Sequence, residues 1–176
     1  MLESKYQNFY DQIIKKISKE KIFTDKLHTL AYGTDASFYR LIPKIVIKTD
    51  NAQEVQDIIE LSNIMDLSIT FRAAGTSLSG QAISDSILII TSRNFSNFKI
   101  APDASFISLE PALTGSQVNG LLARYSKKIG PDPASINAAM IGGIAANNAS
   151  GMCCGISQNS YKTLKSMKLI LVMEQD

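Results

Sequence analysis

Histidine is nearly absent from this 176-residue chain: His28 stands alone, and there are two cysteines, Cys153 and Cys154. A closed zinc or iron–sulfur site needs about four such ligands, so no metal site is expected. Adjacent cysteines rarely pair, because the linkage is strained. A cysteine–histidine catalytic pair would need the fold to carry His28 to Cys153, and nothing local points there. Small buried thiols in a structural loop are the simpler expectation. An excess of one charge is also missing, with 18 Lys+Arg against 16 Asp+Glu and a net of +2. That excludes a strong electrostatic footprint for nucleic acid or an anionic membrane. No apolar run approaches the ~20 residues of a membrane-spanning helix. The longest candidate, residues 141–146, contains Gly142 and Gly143. The first residues lack a signal peptide's apolar region, so a cytoplasmic location is the expectation. Internal repeats, low-complexity tracts and linkers are missing too.

What is there suits a packed domain. Hydrophobic residues make up 45% of the chain and charged residues 19%, which excludes disorder over most of its length. Tyr6, Phe9, Tyr10, Ile13, Ile14 and Ile17 recur at helical spacing within residues 5–19. Residues 27–40 read as irregular, with Gly33, Asp35 and Ser37. A strand over 44–48 is followed by Asn51 and Glu54, spaced as a capping box. They open a helix carrying Val55, Ile58, Ile59 and Met65. A strand over 67–72 comes next. Strand, crossover helix and strand predict parallel neighbours with a right-handed connection. Residues 87–90 form another apolar strand. Residues 98–100 and 106–110 read as a strand pair turned by Pro102 and Asp103. Thr114 with Gln117 caps a helix whose inner face is Val118, Leu121, Leu122 and Tyr125. The last periodic element is an apolar strand over 167–173. The expected division is residues 1–92 and 93–176.

Two segments of small residues carry the chemistry. The strand over 67–72 opens into Ala73, Ala74, Gly75, Thr76, Ser77, Leu78, Ser79, Gly80 and Gln81. Without bulky side chains, a backbone can fold closely around an anion and aim several N–H groups at it. Gly75 and Gly80 have the spacing of a P-loop, but Gln81 and Ala82 replace the required Lys and Ser/Thr. That excludes NTP hydrolysis. A Rossmann fingerprint is excluded as well, because Thr49-Asp50-Asn51, which joins strand to helix, has no glycine. In the second segment Pro131 and Pro133 stiffen the chain around Asp132, ahead of Ala134 and Ser135. It continues through Ile141, Gly142, Gly143, Ala145 and Ala146, where a flat ligand could lie against the main chain. Asn147, Asn148 and Ser150 offer donors and acceptors before Gly151. Tight helix packing through small residues is the alternative, and both stay open.

In combination these motifs resemble the FAD-binding domain of the p-cresol methylhydroxylase/vanillyl-alcohol oxidase superfamily. The resemblance is to its D-lactate dehydrogenase/glycolate oxidase branch. It rests on Tyr32-Gly-Thr-Asp-Ala-Ser37, on Phe71-Arg72 leading into the loop to Gln81, and on Ser108-Leu-Glu-Pro111. It also rests on Gly130 to Ser135, and on Ile141-Gly-Gly143 with Ala146 to Gly151. The resemblance implies an α+β fold of two α/β subdomains with FAD stretched between them. The second subdomain would be incomplete at the C-terminus. It implies that residues 73–81 hold the pyrophosphate, with backbone amides from Ala74 to Ser77 as donors and Arg72 beside them. Pro131, Asp132, Pro133, Ala134, Ser135, Ile141, Gly142, Gly143, Asn147, Ser150 and Gly151 would line the rest. Relatives with covalently bound flavin often have His where Thr76 stands, so the resemblance implies non-covalent FAD. Ala112 departs from the family's usual Gly.

The implied reaction is oxidation of a small 2-hydroxy acid with hydride transfer to flavin N5. The substrate domain that would supply catalytic residues is expected to lie outside this chain, so no catalytic residue is expected within it. Two alternatives stay open: an enolpyruvyl-reductase-like flavoenzyme of the same fold, and a non-catalytic truncated remnant. An exposed final strand would favour a homodimer, and FAD would be held weakly by the chain alone.

Overall fold

A computed structural model describes residues 2–171. It divides into two compact units: Met1–Ser92 with the residues from Leu169 onward, and Arg93–Lys168.

The first unit is built on a four-stranded sheet. Its strands are β1 (Ile22–Phe23), β2 (Ile45–Thr49), β3 (Ile69–Arg72) and β4 (Ile87–Thr91), in the order β1-β2-β4-β3. β4 runs parallel to both β2 and β3, and β1 is antiparallel to β2. The helix between β2 and β3 is α3 (Ala52–Ile64). The expected neighbours β2 and β3 are therefore parallel but not adjacent. β4, the most apolar run, takes the centre, where both faces are covered. On one face Ile45, Ile47, Ile87 and Ile89 meet Tyr6, Phe9 and Ile13 of α1 (Ser4–Ile13), with Ile58 and Leu61 of α3. Val46, Leu88 and Ile90 form the core of the other face, with Phe23 and Tyr32 against them. The alternation follows from the two-residue period of a strand.

Helix α1 ends at Ile13, earlier than its periodicity predicts, yet Ile17 is buried. Turn hydrogen bonds, including Ile17 N–H to the Ile13 carbonyl at 2.9 Å, carry it into the core. Apolar spacing here reports burial beyond the helix that it resembles. The segment expected to be irregular contains α2 (Lys26–Ala31), capped by the Asp25 carboxylate accepting from His28 N–H at 3.1 Å. At α3, Asn51 Oδ1 accepts from Glu54 N–H at 3.0 Å. The return bond goes elsewhere: Glu54 Oε2 accepts from Asp50 N–H at 2.8 Å, while Glu54 Oε1 pairs with Lys21 at 2.6 Å. Lys21 draws the carboxylate aside, leaving half a capping box.

In the second unit, β5 (Phe98–Ile100) and β6 (Ile107–Leu109) pair antiparallel, as expected. Asp103 Oδ1 accepts from both the backbone and the hydroxyl of Ser105 in their turn. Helix α4 (Gly115–Leu122) carries a complete capping box: Thr114 Oγ1 accepts from Gln117 N–H, and Gln117 Oε1 accepts from Thr114 N–H. Val118 and Leu122 are its buried face. Tyr125 does not join them, because the chain tightens into a 3-10 turn at Ala123–Tyr125 and leaves it exposed. Two short helices follow, α5 (Ile141–Ala146) and α6 (Ser160–Thr163). The strand expected over 167–173 is not formed in its described part, residues 167–171, where Met167, Leu169 and Leu171 are exposed. Residues 172 and 173 lie outside the described residues. The expected exposed strand edge is therefore not found among the described residues. No helix among them is long and apolar enough to cross a membrane.

Candidate FAD site

The loop after β3 is shaped by glycine and by a hydroxyl. Gly75 and Gly80 both have φ of +73°, the left-handed region in which a side chain is strained. A Cβ on Gly75 would also sit 2.6 Å from Cζ of Arg72, and one on Gly80 would sit 2.9 Å from the Tyr39 ring. Between these two pivots Ser77 fixes the loop's far limb. Its Oγ accepts from the N–H groups of Ser79 and Gln81, each at 3.2 Å, and donates to Gln81 Oε1.

The near limb is different. The backbone N–H groups of Ala74, Gly75, Thr76, Ser77 and Leu78 make no hydrogen bond to any described residue, and neither does the Thr76 hydroxyl. Ala74 to Ser77 are half-buried and Leu78 is exposed. Five successive backbone donors without a partner among the described residues, four of them half-buried, form an array suited to an anion. Beside the loop lies an open cleft of about 320 Å³ lined by Tyr39, Arg40, Leu41, Ser79, Gly80 and Ile83.

Arg72, the last residue of β3, is half-buried at the loop's entry. Its Nη1 donates to the Thr34 carbonyl at 2.7 Å and to the Ala82 carbonyl at 3.2 Å. Burial lowers its pKa, against the opposing charge of Asp35, and the group stays cationic. Asp35 accepts from Ser37 N–H at 2.8 Å and from Ala82 N–H at 3.3 Å. Burial would raise the Asp35 pKa, but hydrogen bonds from Ser37 and Ala82 and the charge of Arg72 outweigh it. The carboxyl is held below its ordinary value. Asp35 and Tyr39 were not among the expected site residues. The signal for Asp35 was present in the Tyr32–Ser37 motif, where an Asp ahead of Ser37 suits a turn.

In the second unit, residues 130–135 and 147–151 are bound to each other. Asp132 N–H donates to the Ser150 carbonyl at 2.5 Å. Gly151, with φ of +85°, has no room for a Cβ, which would fall on the Asp132 carbonyl. Pro131, Pro133 and Ala134 flank this contact, and the Ser135 carbonyl accepts from the N–H groups of Ala138 and Ala139. The polar side chains also bond inward. Ser150 Oγ donates to the Asn148 carbonyl and accepts from Ser160 N–H, and Asn147 Nδ2 donates to the Gly143 carbonyl.

Ile141, Gly142 and Gly143 lie on α5 and not on an open strip of backbone. The Ile141 and Gly142 N–H groups donate to the carbonyls of Leu113 and Pro111, and a Cβ on Gly142 would sit 2.7 Å from the Pro111 ring. Close packing therefore accounts for Gly142. Cys154 is buried, but Cys153 is exposed, against the expectation for both thiols.

Residues 43–174 match the family described as FAD binding domain. The chain belongs to that family. FAD is its cofactor, and the first unit's loop fits the diphosphate: five free backbone donors, glycine at both pivots and no acidic side chain among residues 73–81. Over 148 residues this FAD-binding domain is 26% identical to D-2-hydroxyglutarate dehydrogenase of Escherichia coli, covering 82% of this chain and 14% of that protein. It is 29% identical over 135 residues to glycolate oxidase subunit GlcD of E. coli, covering 73% of this chain and 27% of that subunit. Among solved structures it is similar to alkyldihydroxyacetonephosphate synthase, with a TM-score of 0.76 and 16% identity. That likeness covers 90% of this chain and 33% of the synthase. The fold is that of the p-cresol methylhydroxylase type of FAD-binding domain. The chain spans less than a third of the length of the two E. coli relatives.

Proposed function

We infer that this chain is the FAD-binding part of an oxidoreductase acting on a small 2-hydroxy acid. The observation that carries the reading is the run of unpaired backbone donors from Ala74 to Leu78. Five N–H dipoles can share the charge of a diphosphate, and glycine at Gly75 lets the backbone come close. Arg72 adds a fixed positive charge at the loop's entry, and Ser77 keeps the far limb from folding into the anion's place. The bound flavin would supply a two-electron acceptor for the hydride of the 2-hydroxy acid. The chain's own residues bind and orient it. The substrate class comes from the likeness to the D-2-hydroxyglutarate dehydrogenase and glycolate oxidase sequences.

The test is titration of FAD with the purified chain, followed by flavin fluorescence, with ADP as competitor. Saturable one-to-one binding that ADP displaces supports the reading. An absence of ADP competition removes the loop from it.

A further inference from the structure

The Tyr32–Ser37 segment supplies no donor to the array described above, yet three hydrogen bonds tie it to the loop and its two ends. Arg72 Nη1 donates to the Thr34 carbonyl at 2.7 Å and to the Ala82 carbonyl at 3.2 Å. Asp35 Oδ2 accepts from Ala82 N–H at 3.3 Å, while its Oδ1 accepts from Ser37 N–H at 2.8 Å. Ala36 N–H donates to the Gly75 carbonyl at 3.1 Å. Arg72 stands at the loop's entry and Ala82 at its exit, so Arg72 and Asp35 grip both ends. The Ala36 bond fixes the peptide that begins at Gly75. The clamp has an electrostatic oddity. Asp35 places a carboxylate beside a loop whose task is to hold an anion, where its own charge works against binding.

The geometry points to Asp35 and Arg72 as positioning residues for the FAD diphosphate, acting through the loop's backbone. Asp35 acts through its two acceptor bonds to backbone N–H groups, despite its unfavourable charge. Arg72 serves both carbonyls through one nitrogen, Nη1, at the end of a planar group that carries it one bond further from the backbone than a lysine nitrogen reaches. Together they hold the Ala74 to Leu78 donors in one arrangement before the cofactor arrives, which removes an ordering cost from binding. The inference rests on the FAD reading and extends it to residues outside the loop.

Charge and clamp predict opposite signs, which makes the test sharp. Asp35→Asn removes a negative charge near the diphosphate. Simple Coulomb attraction then predicts tighter FAD and ADP binding, and the clamp predicts weaker binding because the amide has one acceptor oxygen for the two N–H groups of Ser37 and Ala82. Arg72→Lys keeps the positive charge but draws the donor nitrogen back from the Thr34 and Ala82 carbonyls. FAD and ADP dissociation constants would be measured by fluorescence and calorimetry on the full chain, with circular dichroism checking the fold. The expected result is a loss of about tenfold for both ligands in each variant. Equal or tighter ADP binding by folded Asp35→Asn overturns the inference, as does unchanged binding by Arg72→Lys. Should Asp35→Asn not fold, Arg72→Lys decides alone. Failure of the wild-type chain to bind either FAD or ADP overturns the FAD reading itself, and the clamp with it.

Discussion

At the scale of single residues, the site depends on what is missing from side chains as much as on what is present. Gly75 combines a φ of +73° with the Arg72 guanidinium packed where a Cβ would go. Gly75→Val should therefore distort the donor array and push Arg72 from its carbonyls. In a full-length protein that carries this domain, loss of FAD retention with a near-native circular dichroism spectrum is expected; a variant that purifies with full yellow stoichiometry would show the loop to be misassigned. Thr76 bears on how the flavin is held. A hydroxyl there cannot make the histidyl link of covalent relatives, so acid precipitation of the FAD-loaded protein should release all colour to the supernatant. Pelleted colour would contradict this. The loop itself was legible in the sequence, because strand-to-glycine transitions and hydroxyl content are local signals. The inward bonding of Asn147 and Ser150 was not, since it depends on partners such as Ser160, 10 residues away from Ser150.

Elements show the same division between local and distant causes. Thr114 and Gln117 announced the start of α4 because both halves of a capping box lie within four residues. Thr114→Ala should cost about 1 kcal/mol of stability, read as a lower denaturation midpoint in urea with an unchanged slope. A shift within error would mean that packing of Val118 and Leu122 alone fixes the helix. At α3 the similar Asn51 and Glu54 spacing marked the helix start, but only half of the box forms, because Lys21, 33 residues from Glu54, pairs with the carboxylate. Gly142 and Gly143 suggested an open backbone strip for a similar reason. The small size of Gly142 answers to Pro111, which no reading of the 141–151 segment alone could supply. The apolar spacing at 167–173 predicted a strand, yet a strand needs a partner. Residues 167–171 have none among the described residues.

For the molecule as a whole, the chain spans 14% and 27% of the two E. coli relatives that it resembles. The residues proposed for the site would bind and orient a cofactor, and none of them is assigned a proton to take from a substrate hydroxyl. The chain supplied with FAD should therefore show no D-lactate or glycolate dehydrogenase turnover with an artificial electron acceptor. Measurable turnover would require an acid–base group outside those described. The placement of β4 between β2 and β3 also governs how the first unit comes into being. A nascent chain that has emerged only as far as Arg72 has both flanking strands and the crossover helix, but no middle. The edges of β2 and β3 that face each other both pair with residues 87–91, so the sheet is incomplete until those residues are in place. Assembly of the parallel sheet is thus delayed to a late, non-local step, the kind that slows folding. A cofactor site built on the loop between β3 and β4, as proposed, would then be complete only once the sheet is.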